Sequence, residues 1–191
     1  VKYASHPGWP DAQAVDHVRR WWAYFGITIG GLQSLFFGQA HLNLFGSAQD
    51  RREMLARLAD VCQICERLGG STLVFGSPAN RRRGGMPDEQ AWALAVDFLR
   101  EAGDIAAAHD AVVCVEAAPV AYGGDFGIRT TQVAALVEDV GHPTIRLQLD
   151  TGIAALLGED FSALVAAYAP LVGHVHVSEP ALATVGEGTT D

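Results

Sequence analysis

The sequence predicts an α/β fold: a parallel (β/α)8 TIM barrel, here incomplete, with about five of the eight strands visible. Three observations predict it. Short apolar runs alternate with longer amphipathic segments along the chain, the pattern of a parallel sheet covered by helices. The competing arrangement is a doubly wound open sheet, but its dinucleotide-binding glycine fingerprint is absent. "GITIGG", residues 26–31, has spaced glycines and opens no phosphate-binding helix. Finally, acidic and imidazole side chains recur at the C-terminal ends of successive strands, where a parallel barrel carries its working residues.

The elements follow in order. Residues 11–25 read as a helix stopped by Gly26, and 27–36 ("ITIGGLQSLF") as a strand. The next helix runs over 48–68, with Ser47 as N-cap and Gly69–Gly70 as its stop. "STLVFGSP" (71–78) is a strand, and 87–109 is an Ala-rich helix with Pro87 near its first turn. "AVVCVEAAP" (111–119) is a strand, 130–141 a helix ending at Gly141, and "TIRLQLDTG" (144–152) a strand. Residues 160–169 form a helix, and "LVGHVHVSE" (171–179) the last strand.

Composition narrows the function classes. With 191 residues, 49% hydrophobic and only 18% charged, the chain can bury a substantial core; residues 1–191 are expected to form a single partial-barrel domain. A net charge of −9 disfavours a nucleic-acid partner, and the only dense basic patch is "NRRRGG", 80–85. No run reaches the roughly 18 apolar residues a membrane span requires. Three cysteines in no framework spacing suggest a reducing, cytoplasmic setting. Cys62 and Cys65 form a C-x-x-C inside a helix and are read as packing residues.

The strand ends carry the chemistry. Side chains alternate between faces along a strand. Val112, Cys114 and Glu116 therefore share one face, as do Arg146, Gln148 and Asp150. In the last strand Val175 and Val177 lie opposite His174 and His176. Glu116, Asp150 and His176 are expected at equivalent heights, facing inward. Two carboxylates with one imidazole suit a divalent ion (Mn, Mg, Co or Zn) with coordination positions left open for substrate oxygens. Any one such residue could equally be a loop cap or an ion-pair partner. His174, one pleat deeper, is expected to be an interior histidine.

These residues lie in stretches that resemble the xylose isomerase-like barrel superfamily, in its bacterial sugar phosphate isomerase/epimerase branch. The matching segments are "LNLFG" (42–46), "LVFGSPANR" (73–81), "CVEAAPVAYGGDF" (114–126), "LQLDTG" (147–152) and "GHVHVSEP" (173–180). The resemblance implies a metal held by Glu116, Asp150, His176 and a second Glu from a later strand. It covers roughly strands two to six. A full barrel needs about 250 residues, so the sequence reads as a fragment, and a partner chain, a second copy included, or an alternative closure is expected to cover its open edges.

The resemblance also implies an activity: isomerisation or epimerisation of a small sugar or polyol, by proton abstraction next to a carbonyl through an enediolate. Glu116 would serve as ligand and base, and the second acid would be the later Glu. A dehydratase, lyase or cyclase on the same barrel would share this triad. A truncated barrel that only binds is a further alternative. The superfamily's apurinic-site endonucleases use extra histidines, but Ile153 follows Asp150-Thr-Gly here.

Several residues are candidate substrate contacts. Glu179, three residues after His176, could bind substrate hydroxyls or form a loop salt bridge. Ser77, Asn80 and Arg81 could hold a hydroxyl or phosphate, or merely shape their loop. Tyr122 could cover the pocket mouth between flexible glycines, or pack structurally. His6 and His41 are further candidates in loops. Trp9, Trp21 and Trp22 are expected to pack the first helix or to wall the pocket.

Overall fold

Local signals set most element boundaries in the computed structural model, which describes residues 11–188. Helix α1 spans Ala12–Tyr24, with the Asp11 side chain capping its first turn. Helix α2, Ala48–Leu68, opens on a capping box: Asp50 N donates to Ser47 Oγ, and Ser47 N donates to the Asp50 carboxylate. It closes on Gly69, whose φ of 88° is left-handed and favours glycine. Helix α3 is Asp88–Ala107, preceded by Pro87. Helix α4, Thr130–Val140, stops at left-handed Gly141.

Strands β1 (Gly31–Gln33), β2 (Thr72–Phe75), β3 (Val112–Glu116), β4 (Ile145–Asp150) and β5 (Val172–His176) form one parallel sheet in sequential order. The sheet curls into a half-barrel, so that Gln33 and Thr72 from its start line a shared cavity of about 210 Å³ with His174 and His176 from its end.

Alternation along the strands separates two faces. Leu73, Phe75, Val113, Val115, Leu147 and Leu149 are buried in the main core cluster. The faces of α2 and α3 that join that cluster carry Met54, Leu58, Val61, Cys62 and Cys65, and Ala91, Ala95, Phe98, Leu99 and Ala102, at helical spacing. Val74, Cys114 and Gln148 are buried but belong to the opposite, inner face. Cys62 and Cys65 pack as expected, and burial pushes their thiols up to about 12 and about 11.

The course of the chain departs from expectation at four places. Strand β1 is three residues long, because Ser34 turns the chain with a φ of 58° and sends Leu35 and Phe36 into the core. A helix that the sequence pattern did not predict, α5 (Thr151–Leu157), begins directly at the end of β4 and precedes α6 (Phe161–Tyr168). Strand β5 carries a β-bulge: Leu147 pairs with Val172 but Gln148 pairs with His174, leaving Gly173 as the extra residue. A β-carbon there would press within 2.7 Å of Cys114 Sγ, so the bulge requires glycine.

The tryptophans are the fourth departure. Trp21 and Trp22 stack edge-on with one another, Trp21 does the same with Phe25, and Val15 is the only core residue of α1. Neither tryptophan reaches the core cluster, and Trp9 lies outside the described residues. Among the described residues, no single helix is long and apolar enough to cross a membrane.

Candidate metal centre

Glu116, Asp150 and His176 are the last residues of β3, β4 and β5. Asp150 pairs with His176, but Glu116 pairs with Gln148, one pleat lower. The longer glutamate side chain makes up the difference on a tilted barrel wall. His176 Nδ1 lies 3.2 Å from Glu116 Oε1 and 3.8 Å from Asp150 Oδ2. One donor atom from each residue falls within 4.8 Å of the others, a spread that a single ion can bridge.

The surroundings fit a cation. Burial first, and the Asp150 carboxylate next, push the Glu116 carboxyl above its ordinary range, while His176 and Arg81 pull it back. Two facing carboxylates in a partly buried site thus carry an electrostatic cost that a divalent ion relieves. An all-oxygen-and-imidazole donor set suits Mn, Mg, Co or Zn, with open positions remaining. Gly76 makes room for the arrangement: a β-carbon there would overlap Glu116 Oε2.

Asp150 has a second role. Its Oδ1 accepts the Ile153 N–H at 2.7 Å, as the N-cap of α5. The same oxygen accepts the Ser178 hydroxyl at 2.7 Å. Ser178 and Thr151 escaped the sequence reasoning. The available signal was "LDTG": an Asp closing a strand and followed by helix-compatible residues is a good N-cap.

A cleft of about 680 Å³ opens above the triad, lined in part by Gln33, Ala118, Tyr122, Ile153, Glu179 and Leu182. Tyr122 is half exposed at its edge, and its hydroxyl accepts from Ala181 N at 3.4 Å. Glu179 lines the cleft although only 3% exposed, and its Oε1 accepts from Gly186 N.

Asn80 and Arg81 are 1% and 2% exposed and stay out of that lining. The Asn80 amide donates to Gln39 O and Leu42 O and its oxygen accepts from Ser77, so it ties two loops together. Arg81 lies over the Phe75 ring and donates to the main-chain oxygen of Glu116 at 2.8 Å. Burial pulls its guanidinium down to about 10, against the opposing pull of Glu116. Arg81 therefore braces the backbone that carries Glu116, and Asn80 holds the loop from which Arg81 reaches it.

The rest of the basic patch is similarly engaged. Arg82 donates to Gly123 O, and Arg83 bonds to Asp125 and pairs with Asp88. His41 is exposed, and His6 lies outside the described residues. His174, expected in the interior, is exposed, and its ring meets that of His176 edge-on at 5.2 Å between centroids.

Comparison with known proteins agrees with this architecture. Residues 3–190 match the family model of the xylose isomerase-like TIM barrel. No curated protein sequence matches the chain. Among solved structures, D-psicose 3-epimerase from Clostridium cellulolyticum H10 aligns with a TM-score of 0.79 and 16% identity, over 94% of this chain and 62% of its own. An L-ribulose 3-epimerase gives 0.77 and 19%, over 97% and 61%. The 3-keto-D-glucoside 4-epimerase of E. coli gives 0.76 and 17%, over 94% and 70%. At these identities the likeness concerns the fold. The chain spans between 61% and 70% of the length of these three proteins.

Proposed function

Because the chain belongs to the xylose isomerase-like TIM barrel family, we propose that it is a divalent-metal-dependent isomerase or epimerase of a small sugar or polyol, or the part of one that carries the metal triad. The observation that carries this reading is the convergence of Glu116, Asp150 and His176 on one point at the floor of an open cleft. The neighbouring folds belong to proteins named as sugar epimerases.

A divalent ion at that point supplies Lewis-acid polarisation of a substrate carbonyl. The protein's own residues do the rest. Asp150 and His176 would hold that ion together with Glu116. Glu116 would take the proton from the carbon next to the carbonyl, leaving an enediolate. Tyr122 and the buried Glu179 border the cleft where the remaining hydroxyls would lie. The second acid would be a Glu from a later barrel strand, as the family resemblance implies. Localisation in the cytoplasm is part of the same proposal.

The test is exchange in heavy water. With Mn added, ketoses of five and six carbons should gain deuterium at the carbon beside the carbonyl, and Glu116→Gln should abolish the gain. Metal uptake without any exchange would move the assignment to another chemistry on this barrel, a dehydratase, lyase or cyclase. One feature favours that second reading: Ala118, Pro119, Ile153 and Leu182 give the cleft an apolar wall suited to a substrate with a hydrocarbon portion. Failure to retain any divalent ion would leave a barrel that only binds.

A further inference from the structure

We propose that Ser178 is a positioning residue that makes Asp150 a monodentate ligand, presenting Oδ2 to the ion and withholding Oδ1. The inference rests on the metal reading above and goes beyond it, because it concerns how the ligand is aimed.

Asp150 Oδ1 is doubly engaged. It accepts the Ile153 N–H and the Ser178 hydroxyl, each at 2.7 Å. A carboxylate oxygen has about two lone pairs, so two such bonds occupy it. The other oxygen, Oδ2, is the one that faces His176 Nδ1. The two carboxylate oxygens are thereby assigned different tasks before any ion arrives.

The direction of the Ser178 proton is also determined. Its Oγ accepts from Gly152 N at 3.2 Å, and its single hydrogen is the one donated to Asp150. The serine cannot drift, because its backbone is clasped on both sides. Ser178 N donates to Thr151 Oγ1 at 2.9 Å, and Thr151 Oγ1 donates to Ser178 O at 2.7 Å. Gly152 is required where the two segments meet: a β-carbon there would fall 2.5 Å from Ser178 Oγ and 2.8 Å from Glu179 C. The first turn of α5 and the segment leaving β5 thus lock together, with the metal ligand between them.

This arrangement has a chemical consequence. A carboxylate free to rotate can chelate an ion with both oxygens and occupy two coordination positions. One held by Ser178 occupies a single position and leaves another for a substrate oxygen. Outer hydrogen bonds of this kind tune metal affinity by roughly 10–100-fold.

The experiment reads metal binding, so it needs no substrate. Mn affinity is measured by titration with electron paramagnetic resonance of the free ion. The visible spectrum of the Co-loaded protein reports coordination. Ser178→Ala should weaken Mn binding roughly 10–100-fold and alter the Co spectrum. Ser178→Thr keeps the hydroxyl and should retain both properties, whereas Ser178→Val, which has the shape of threonine without its hydroxyl, should lose them. Thermal unfolding of each metal-free variant checks the fold, and the Thr/Val pair decides the matter if the alanine variant is unstable. Wild-type affinity and spectrum in both the alanine and the valine variants would overturn the proposal. Absence of Mn and Co uptake by the wild type is a different result: it removes the metal reading itself, and this inference with it.

Discussion

Replacing Gly76 by alanine should separate the fold from the metal site. The backbone at Gly76 is not in the left-handed region, so alanine fits its conformation. The new β-carbon would overlap Glu116 Oε2, yet Glu116 Cδ is 3.3 Å away and its Cβ 3.8 Å. Only the end of one side chain must move. It must retreat by roughly 1 Å to reach ordinary contact distance, more than the ~0.5 Å tolerance of an organised site. Stability of the metal-free protein should therefore change by less than about 1 kcal/mol, since Gly→Ala at a compatible site also restricts the unfolded chain.

Metal affinity should fall by roughly 10–100-fold, taking the measured effect of disturbing a ligand's support as the guide. At an Mn concentration 100 times the wild-type Kd, binding stabilises the wild type by about 2.7 kcal/mol, and the variant by only about 0.4–1.4 kcal/mol. For a chain of this size that is a Tm rise of roughly 5–11 °C against roughly 1–6 °C. Thermal unfolding with and without Mn measures both numbers. A Gly76→Ala variant with an undiminished Mn-induced rise would refute the placement of Glu116 as a ligand.

Two further predictions follow from neighbouring contacts. Glu116 has its carboxyl raised above the ordinary 4.5 by burial first and by Asp150 second. A group raised on folding contributes stability that is fully present below its unfolded value and lost as pH rises through its folded value. The metal-free protein should therefore lose stability from about pH 4.5 upward, and Glu116→Gln should flatten that loss. Urea unfolding in EDTA across this range checks it, and equal slopes for both proteins would contradict it. Gly173→Ala places a β-carbon 2.6 Å from Arg146 Cβ and 2.7 Å from Cys114 Sγ, neither of which can swing aside freely. Overpacking of this kind should cost about 1–3 kcal/mol in denaturant unfolding, and a neutral result would argue against the bulge.

Legibility in the sequence followed the range of the forces involved. Helix α2 was legible to the residue because its signals are local: a serine with an acidic residue three positions on, and a glycine that alone tolerates the left-handed stop. The triad was legible because strand alternation and strand ends are periodic features. Helix α5 was hidden because its seven residues are too few to show a period, and its N-cap was already assigned to the site as Asp150. The loop residues were the hardest. Nothing in "SPANRRR" distinguishes a guanidinium that meets a substrate from one buried against Phe75, because a partner 35 positions away, the Glu116 main-chain oxygen, decides it.

From residue order alone come the alternation of strands and helices, the inward face of each strand, and the three side chains offered at the strand ends. These depend on propensity, capping and periodicity, which act within a few positions along the chain. Packing decided the rest: the bulge at Gly173, the one-pleat offset of Glu116, the interior fate of Asn80 and Arg81, and the clasp that aims Asp150. Each of these is a distance between segments remote in sequence, and only closure of the half-barrel brings those segments within hydrogen-bond or van der Waals reach.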